Sequence, residues 1–245
     1  MPLDYSRIAE HYDAVRGNPS VDREYWLKAL VDCGELKPGE RILDLGAGTG
    51  RFSALLAEFA SVVAADVSAE MLAKARGKGR FDLVRADACR LPFQSAAFDA
   101  TLLVMVVHQL PDYARAIREV ARVSHRIVVA TSDMEKRRFG IVEEAFPSLM
   151  DIDRERFPRI DALADTMQDA GFRRVRVMDR PIRRSWTVDE QLDRVRRKYI
   201  STFDLLPEGE FERGLAFLER ELPARFGEVY ATSDVFTFVA GSREP

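Results

Sequence analysis

The sequence predicts a three-layer α/β sandwich: one seven-stranded, mostly parallel sheet between two layers of helices, with a helical insertion near the end. Three observations carry that expectation. From residue 40 onward, short β-branched runs alternate with stretches of helical periodicity, the pattern of βαβ units. The run at 98–107 is apolar almost without interruption, as a strand covered on both faces must be. The segment RILDLGAGTGRF, residues 41–52, sets three glycines and a threonine directly behind a short strand-like run that contains an acid, and a strand that stops so abruptly leaves room for a ligand.

Taken in order, residues 41–45 form the first strand and 51–59 a helix whose Phe52, Leu55, Leu56 and Phe59 share a face. Residues 61–66 are the second strand. Ser68 suits an N-cap, with Glu70 in the first turn and Met71, Leu72 and Ala75 facing inward. Residues 81–87 read as the third strand, 98–107 as the fourth, 113–123 as a helix and 126–130 as the fifth strand. A helix at 160–170 is closed by Gly171, and 172–178 is the sixth strand. Helices near 188–202 and 208–222 precede the last strand, 235–240, expected to run antiparallel to the other six. No repeat, low-complexity tract or linker interrupts the chain. It therefore reads as a single domain, 1–245, with its core at about 36–180 and 233–243 and lid elements at about 1–30 and 181–230.

The bulk properties narrow the function. At 245 residues the chain can bury a full α/β core. Its longest apolar run, 102–107, is far short of the roughly 20 residues of a membrane span, and the opening MPLDYSRIAEHYD has no apolar heart, so the expected location is cytoplasmic. Cys33 and Cys89 have no paired spacing, which argues for packed thiols rather than a disulfide or a metal site. A formal charge of −3 makes nucleic acid an unfavoured partner, and the basic clusters at 136–138 and 194–198 read as solvated helix faces.

At the carboxyl edge of a parallel sheet, a glycine-rich turn lets backbone approach a ligand and points helix N–H groups at it. In GAGTGR the glycines are Gly46, Gly48 and Gly50, the first, third and fifth positions, with Arg51 in the sixth place where a dinucleotide fingerprint needs glycine. No Gly-Lys-Ser/Thr follows, so a P-loop is excluded. Asp44, Asp66 and Asp87 fall at or near the ends of three consecutive strands and so gather along one sheet edge. A carboxylate at Asp66 can accept both ribose hydroxyls of a nucleoside, Asp87 can accept from an adenine amine, and Asp44 can face a cationic amino acid group directly or through water.

The stretches DLGAGTG (44–50), AADVSAEML (64–72), RADACRLPF (85–93) and FDATLLVMVVHQLPD (98–112), together with the opening YSRIAEHYDAVR (5–16), resemble the class I S-adenosylmethionine-dependent methyltransferases, particularly the branch of the ubiquinone and menaquinone biosynthesis enzymes. The resemblance runs from residue 5 to about 130 and fades afterward. It implies a Rossmann-like methyltransferase sandwich with S-adenosylmethionine as cofactor and S-adenosylhomocysteine as product. Position by position, it sets Gly46, Ala47, Gly48 and Gly50 against the methionine and ribose, and Asp66 on the ribose hydroxyls. Val67 and Met71 would lie on adenine, Asp87 and Ala88 at the adenine edge, and Val104 and Met105 beneath the sulfonium. Tyr12 and Arg16 of the leading helix would help hold the methionine end. Met71 serves equally as an ordinary helix-to-core contact.

Methyl transfer from a sulfonium is an in-line displacement whose main demand is to hold the acceptor about 3 Å from the methyl and exclude water. An acceptor that must lose a proton needs a base, and His108 is the candidate, although a packed imidazole is the plainer reading of a lone histidine. The fourth strand carries Val104, Met105, Val106 and Val107 where methyltransferases acting on adenine or cytosine bases have an Asn/Asp-Pro-Pro-aromatic motif, and there is no Pro-Cys pair. The acceptor expected is therefore a small, partly apolar molecule, walled by some of Trp26, Phe139, Phe146, Trp186, Tyr199 and Phe203. Three other readings stay open. One is an RNA or protein methyltransferase that docks through the basic clusters, including 173–184. Another is a non-catalytic S-adenosylmethionine or S-adenosylhomocysteine binder, and the last an NAD-dependent oxidoreductase.

Overall fold

The computed structural model describes residues 22–243. The expected leading helix at 5–16, with Tyr12 and Arg16, lies outside the described residues. Strands β1 (Arg41–Leu45), β2 (Ser61–Asp66), β3 (Asp82–Arg85), β4 (Phe98–Val104), β5 (Ser124–Thr131), β6 (Arg173–Thr187) and β7 (Val229–Ser242) form one sheet in the order β3-β2-β1-β4-β5-β7-β6. β1 to β5 pair in parallel, and β7 lies antiparallel between β5 and β6. Six strands thus share a direction and the last opposes them, as the sequence predicts. The order reverses between β1 and β4, and the turn leaving β1 opens at that switch point.

Side chains alternate across each strand and split the core in two. One face buries Leu43, Leu45, Val63, Leu103, Ile127 and Val129. They pack under helices α4 (Tyr113–Val123) and α7 (Ile160–Asp169), which contribute Ile117, Val120, Leu163 and Met167. The other face buries Ile42, Val62, Leu102, Val128 and Phe238 under α1 (Arg23–Gly34) and α2 (Arg51–Leu56). The short helix α3 (Ala69–Ala75) follows β2, its N-terminus capped by the Ser68 hydroxyl, which accepts from the Met71 N–H at 3.1 Å. A third apolar cluster lies among α5 (Ile141–Ala145), α6 (Leu149–Arg156), α8 (Val188–Arg196) and α9 (Glu210–Phe226), around Phe146, Leu149, Val195, Phe203 and Leu218.

Several boundaries differ from expectation, each for a local reason. The fourth strand stops at Val104 instead of 107, because Met105 adopts φ +53° and the chain then winds into a 3-10 turn, Val107–Gln109. The helix expected over 188–202 ends at Arg196, with Lys198 at φ +53°, and a separate 3-10 turn covers Ser201–Asp204. Helices α1, α5 and α6 had no sequence expectation; two of them are short and all three pack against larger elements.

The largest departure is β6 with β7. Both run far beyond 172–178 and 235–240, and they pair from Arg176↔Ala240 to Thr187↔Val229. β5 pairs with β7 only over Thr237 to Ser242. The remainder, from Pro181/Val235 outward, is a two-stranded ribbon that projects past the carboxyl end of β5. Residues 181–187 therefore belong to a strand rather than to a helical lid. The arginines at 173, 174, 176 and 183 of β6 are exposed on the outer edge strand of the sheet, where charge discourages pairing with another chain.

Candidate functional site

A cavity of about 740 Å³ opens at the carboxyl edge of the sheet, over the switch point. Its floor is the turn after β1. The Gly46 and Ala47 N–H groups both donate to the Ala65 carbonyl, at 2.8 and 3.0 Å, which folds the turn onto the end of β2. Gly46 has φ +74°, and a Cβ there would overlap Val106 Cγ2, so a bare backbone is required for the chain after β4 to close against the turn. Gly48 has φ +55° and nothing within 4 Å of the position its Cβ would take, leaving backbone open to the cavity. Gly50 does not line the cavity; it is the left-handed cap of α2, against Ala75 and Phe81.

Among the three acids, Asp66 and Asp87 line the cavity and Asp44 does not. The Asp66 carboxylate accepts from the Gly48 N–H at 2.7 Å and from the Ser68 N–H at 2.9 Å, tying the glycine turn to the end of β2. Asp87 accepts from the Cys89 N–H at 2.8 Å, forming a tight turn at the rim. Asp44 shares the sheet face of Ile42 and lies beneath α2, 2 % exposed, where it accepts from the Ser53 hydroxyl at 2.5 Å. Burial pushes its carboxyl up to about 6, against the lowering effect of Ser53, and the nearby Asp66 charge adds to the rise. Asp44 thus stands behind the turn as a buried support.

Ala47, Val67, Met71, Ala88, Val104 and Met105 also line the cavity. Val67 is exposed at the mouth, while Met71 is buried at 2 %, so its contact with the core and its place in the wall coexist. His108 is not among the lining residues. Its ring stacks on Phe157, centroids 3.9 Å apart, which is the packed imidazole of the plainer reading. Cys89, expected as a packed thiol, is half-exposed in the cavity wall, whereas Cys33 is buried as expected.

Away from the glycine turn the cavity widens into an aromatic chamber. Trp26, Trp186 and Tyr199 line it as expected, joined by Phe236 and Ile200. Phe139, Phe146 and Phe203 do not; they are buried inside the third apolar cluster, where α9 covers them. The chamber also holds Arg137, Arg184, Arg194, Asp22 and Asp234. Arg184 donates to Asp22 at 2.8 Å, and its other end lies 3.4 Å from Asp234. Arg194 stacks its guanidinium 3.9 Å from the Trp186 ring and 4.3 Å from Tyr199, and donates to the Gln191 side chain at 2.8 Å. Arg137 and Arg194, expected on solvated faces, are both largely buried here. Sequence periodicity could not have found them, because a basic run has the same pattern whether one member turns inward or none does.

Among the described residues no helix is long and apolar enough to cross a membrane. The family described as a methyltransferase domain matches residues 43–126, the stretch that builds the turn, the acids and β4. A demethylmenaquinone methyltransferase of Thermus thermophilus is 34% identical over 155 residues, covering 58% of this chain and 70% of that enzyme. A ubiquinone/menaquinone biosynthesis C-methyltransferase of Vibrio cholerae is 35% identical over 131 residues, covering 49% of this chain and 50% of its own length. A crystal structure from Anabaena variabilis, described as a methyltransferase of an antibiotic biosynthesis pathway, superposes with a TM-score of 0.74 at 21% identity, over 93% of this chain and 98% of that one. Haemonchus contortus phosphoethanolamine N-methyltransferase 2, solved with S-adenosyl-L-methionine, reaches a TM-score of 0.64 at 16% identity, over 98% of this chain and 57% of its own. At those identities the two structures establish the fold.

Proposed function

This chain belongs to the class I S-adenosylmethionine-dependent methyltransferases, in the branch of the ubiquinone and menaquinone biosynthesis enzymes, and we propose that it transfers a methyl group to a small, partly apolar acceptor held in the aromatic chamber. The observation that carries this reading is the continuity of one cavity, in which a glycine turn flanked by Asp66 and Asp87 opens directly into a chamber lined by Trp26, Trp186, Tyr199 and Phe236.

The residues fit the cofactor. Gly48 leaves backbone bare beside the cavity, and Asp66 has lone pairs left after its two backbone bonds with which to accept ribose hydroxyls. Gly46, Ala47 and Gly48 would hold the methionine and ribose, with Gly50 shaping the turn from behind and Asp44 bracing it. Val67 and Met71 would flank adenine, and Asp87 with Ala88 would meet its edge. Val104 and Met105 would lie beneath the sulfonium, with Met105 held in its left-handed conformation where β4 breaks off. When bound, the cofactor supplies an electrophilic methyl group; the protein's part is to orient the acceptor and keep out water. We assign His108 no part in this, since its ring is stacked outside the cavity lining. The β6–β7 ribbon, through Arg184, Trp186, Asp234 and Phe236, and α8 with the segment after it, through Arg194, Tyr199 and Ile200, wall the chamber and would serve as its lid.

Calorimetry with S-adenosylhomocysteine and NAD side by side tests the reading. Micromolar binding of S-adenosylhomocysteine with no heat from NAD is the expected result. Binding of NAD alone would replace methyl transfer by an oxidoreductase reading.

A further inference from the structure

We infer that the acceptor carries an oxyanion, a carboxylate or a phosphate, bound in the chamber by Arg137 and Arg194. This rests on the methyl-transfer reading above and names the substrate class of the same site.

Two independent features converge. The first is charge. At its chamber end the cavity lining holds three guanidiniums, Arg137, Arg184 and Arg194, and two carboxylates, Asp22 and Asp234, a net positive charge. Arg184 takes Asp22 in a close ion pair and also reaches Asp234. Arg137 pairs with Asp234 at 3.6 Å without a hydrogen bond, and among the described residues Arg194 makes no close ion pair, sensing Asp234 and Asp22 only at longer range. The second is unsatisfied hydrogen bonding. Arg137 Nε and Nη1, Arg194 Nε and Trp186 Nε1 are buried and have no hydrogen-bond partner among the described residues. Buried donors in folded proteins are nearly always paired, so four such atoms on three residues of one cavity wall mark a polar region where small side-chain turns would bring donors to a ligand's oxygens. Burial also holds the Arg194 guanidinium below its usual range, the cost of a charge that solvent no longer covers.

The chemistry of the donors selects the ligand. A guanidinium presents a planar fork suited to two oxygens of one carboxylate or phosphate, and an indole N–H can add a third bond. The Arg194 guanidinium lies 3.9 Å from the Trp186 ring and 4.3 Å from the Tyr199 ring and donates to Gln191, which restrains the fork before the ligand arrives. The same rings leave an apolar, aromatic surround for the body of the acceptor.

Ligand-observed NMR on the protein with S-adenosylhomocysteine compares 4-hydroxybenzoate, phenyl phosphate, phenol and hydroquinone. The expected result is that one or both anions bind at least tenfold tighter than the two neutral rings, the stronger of the pair identifying the oxyanion. Arg194→Met and Arg137→Met should each weaken that anion at least tenfold while leaving S-adenosylhomocysteine affinity within twofold, which also certifies the fold. Arg194→Lys, with its charge but no fork, should fall between. Neutral rings binding as well as the anions, or arginine variants that bind the anions unchanged, would overturn the inference while leaving the methyl-transfer reading intact if S-adenosylhomocysteine still binds. Failure of the wild-type protein to bind S-adenosylhomocysteine would overturn both.

Discussion

Replacing Asp66 by alanine tests the nucleoside end of the site. Its two carboxylate oxygens accept from Gly48 and Ser68, at 2.7 and 2.9 Å, and so set the distance between the glycine turn and the end of β2. A carboxylate oxygen accepts more than one hydrogen bond, so ribose hydroxyls add to these contacts without displacing them. Charge-assisted hydrogen bonds are worth about 1.5–3 kcal/mol, which corresponds to a loss of S-adenosylhomocysteine affinity of roughly 10- to 150-fold. The freed N–H groups border an open cavity where water replaces the carboxylate, so stability should fall by no more than about 1–2 kcal/mol. Asp66→Asn keeps one acceptor oxygen and should lose less affinity than alanine. Calorimetry gives the binding constant and a circular dichroism melt shows whether the variant folds. An Asp66→Ala protein that melts cooperatively and binds S-adenosylhomocysteine as tightly as wild type would remove Asp66 from the site and refute the nucleoside orientation built on it.

Gly46→Ala should cost roughly 2–4 kcal/mol by urea unfolding, from the left-handed backbone plus the overlap with Val106. Adding Val106→Ala should recover the steric part alone, and full recovery would mean the backbone conformation is unstrained for alanine. Gly214→Ala, whose Cβ would run into the Phe146 ring and the Ala145 carbonyl, should lower the melting temperature by destabilising the layer of α5 and α9, with an unchanged S-adenosylhomocysteine affinity. Asp44 makes stability pH-dependent. Its folded value of about 6 lies above the unfolded one of 3.8, so the folded state binds the extra proton in between and stability falls as pH rises through roughly 4 to 6. Asp44→Asn should flatten that slope and, above pH 6, be as stable as wild type or more so, by up to about 3 kcal/mol; an unaltered slope in urea titrations across this window would show that the buried carboxyl is not its source.

The sheet was legible because each of its signals is local. Short apolar runs at 41–45 and 61–66 mark strands buried on both faces, and the Ser68 cap and Gly171 stop need only the residues beside them. The glycine turn was legible for the same reason, since its positive φ angles leave few alternatives to glycine. Less could be read where two elements decide the outcome jointly. Nothing in 172–178 or 235–240 says that both strands continue for several residues past the sheet, because the extra pairs are made between β6 and β7 themselves. Met105 breaks β4 within a run that reads as continuous strand, as Val106 closes against Gly46.

The cofactor end and the chamber end of the cavity divide along the same line. Gly46, Gly48, Asp66 and Asp87 follow from the ends of consecutive strands, which places them along one sheet edge, whereas Val104 and Met105 came only from the family resemblance. The sequence by itself set that turn and those two acids on one edge, together with the direction of all seven strands. The chamber is assembled from Asp22 before α1, Arg137 beyond β5, Arg184 and Trp186 on β6, Arg194 on α8 and Asp234 on β7. Which arginine of a basic run turns inward, and which aromatic of a helix is wall rather than core, depends on contacts between residues far apart in sequence. Only the tertiary structure decided those, because burial and charge pairing are properties of the packed neighbourhood and leave no period in the chain.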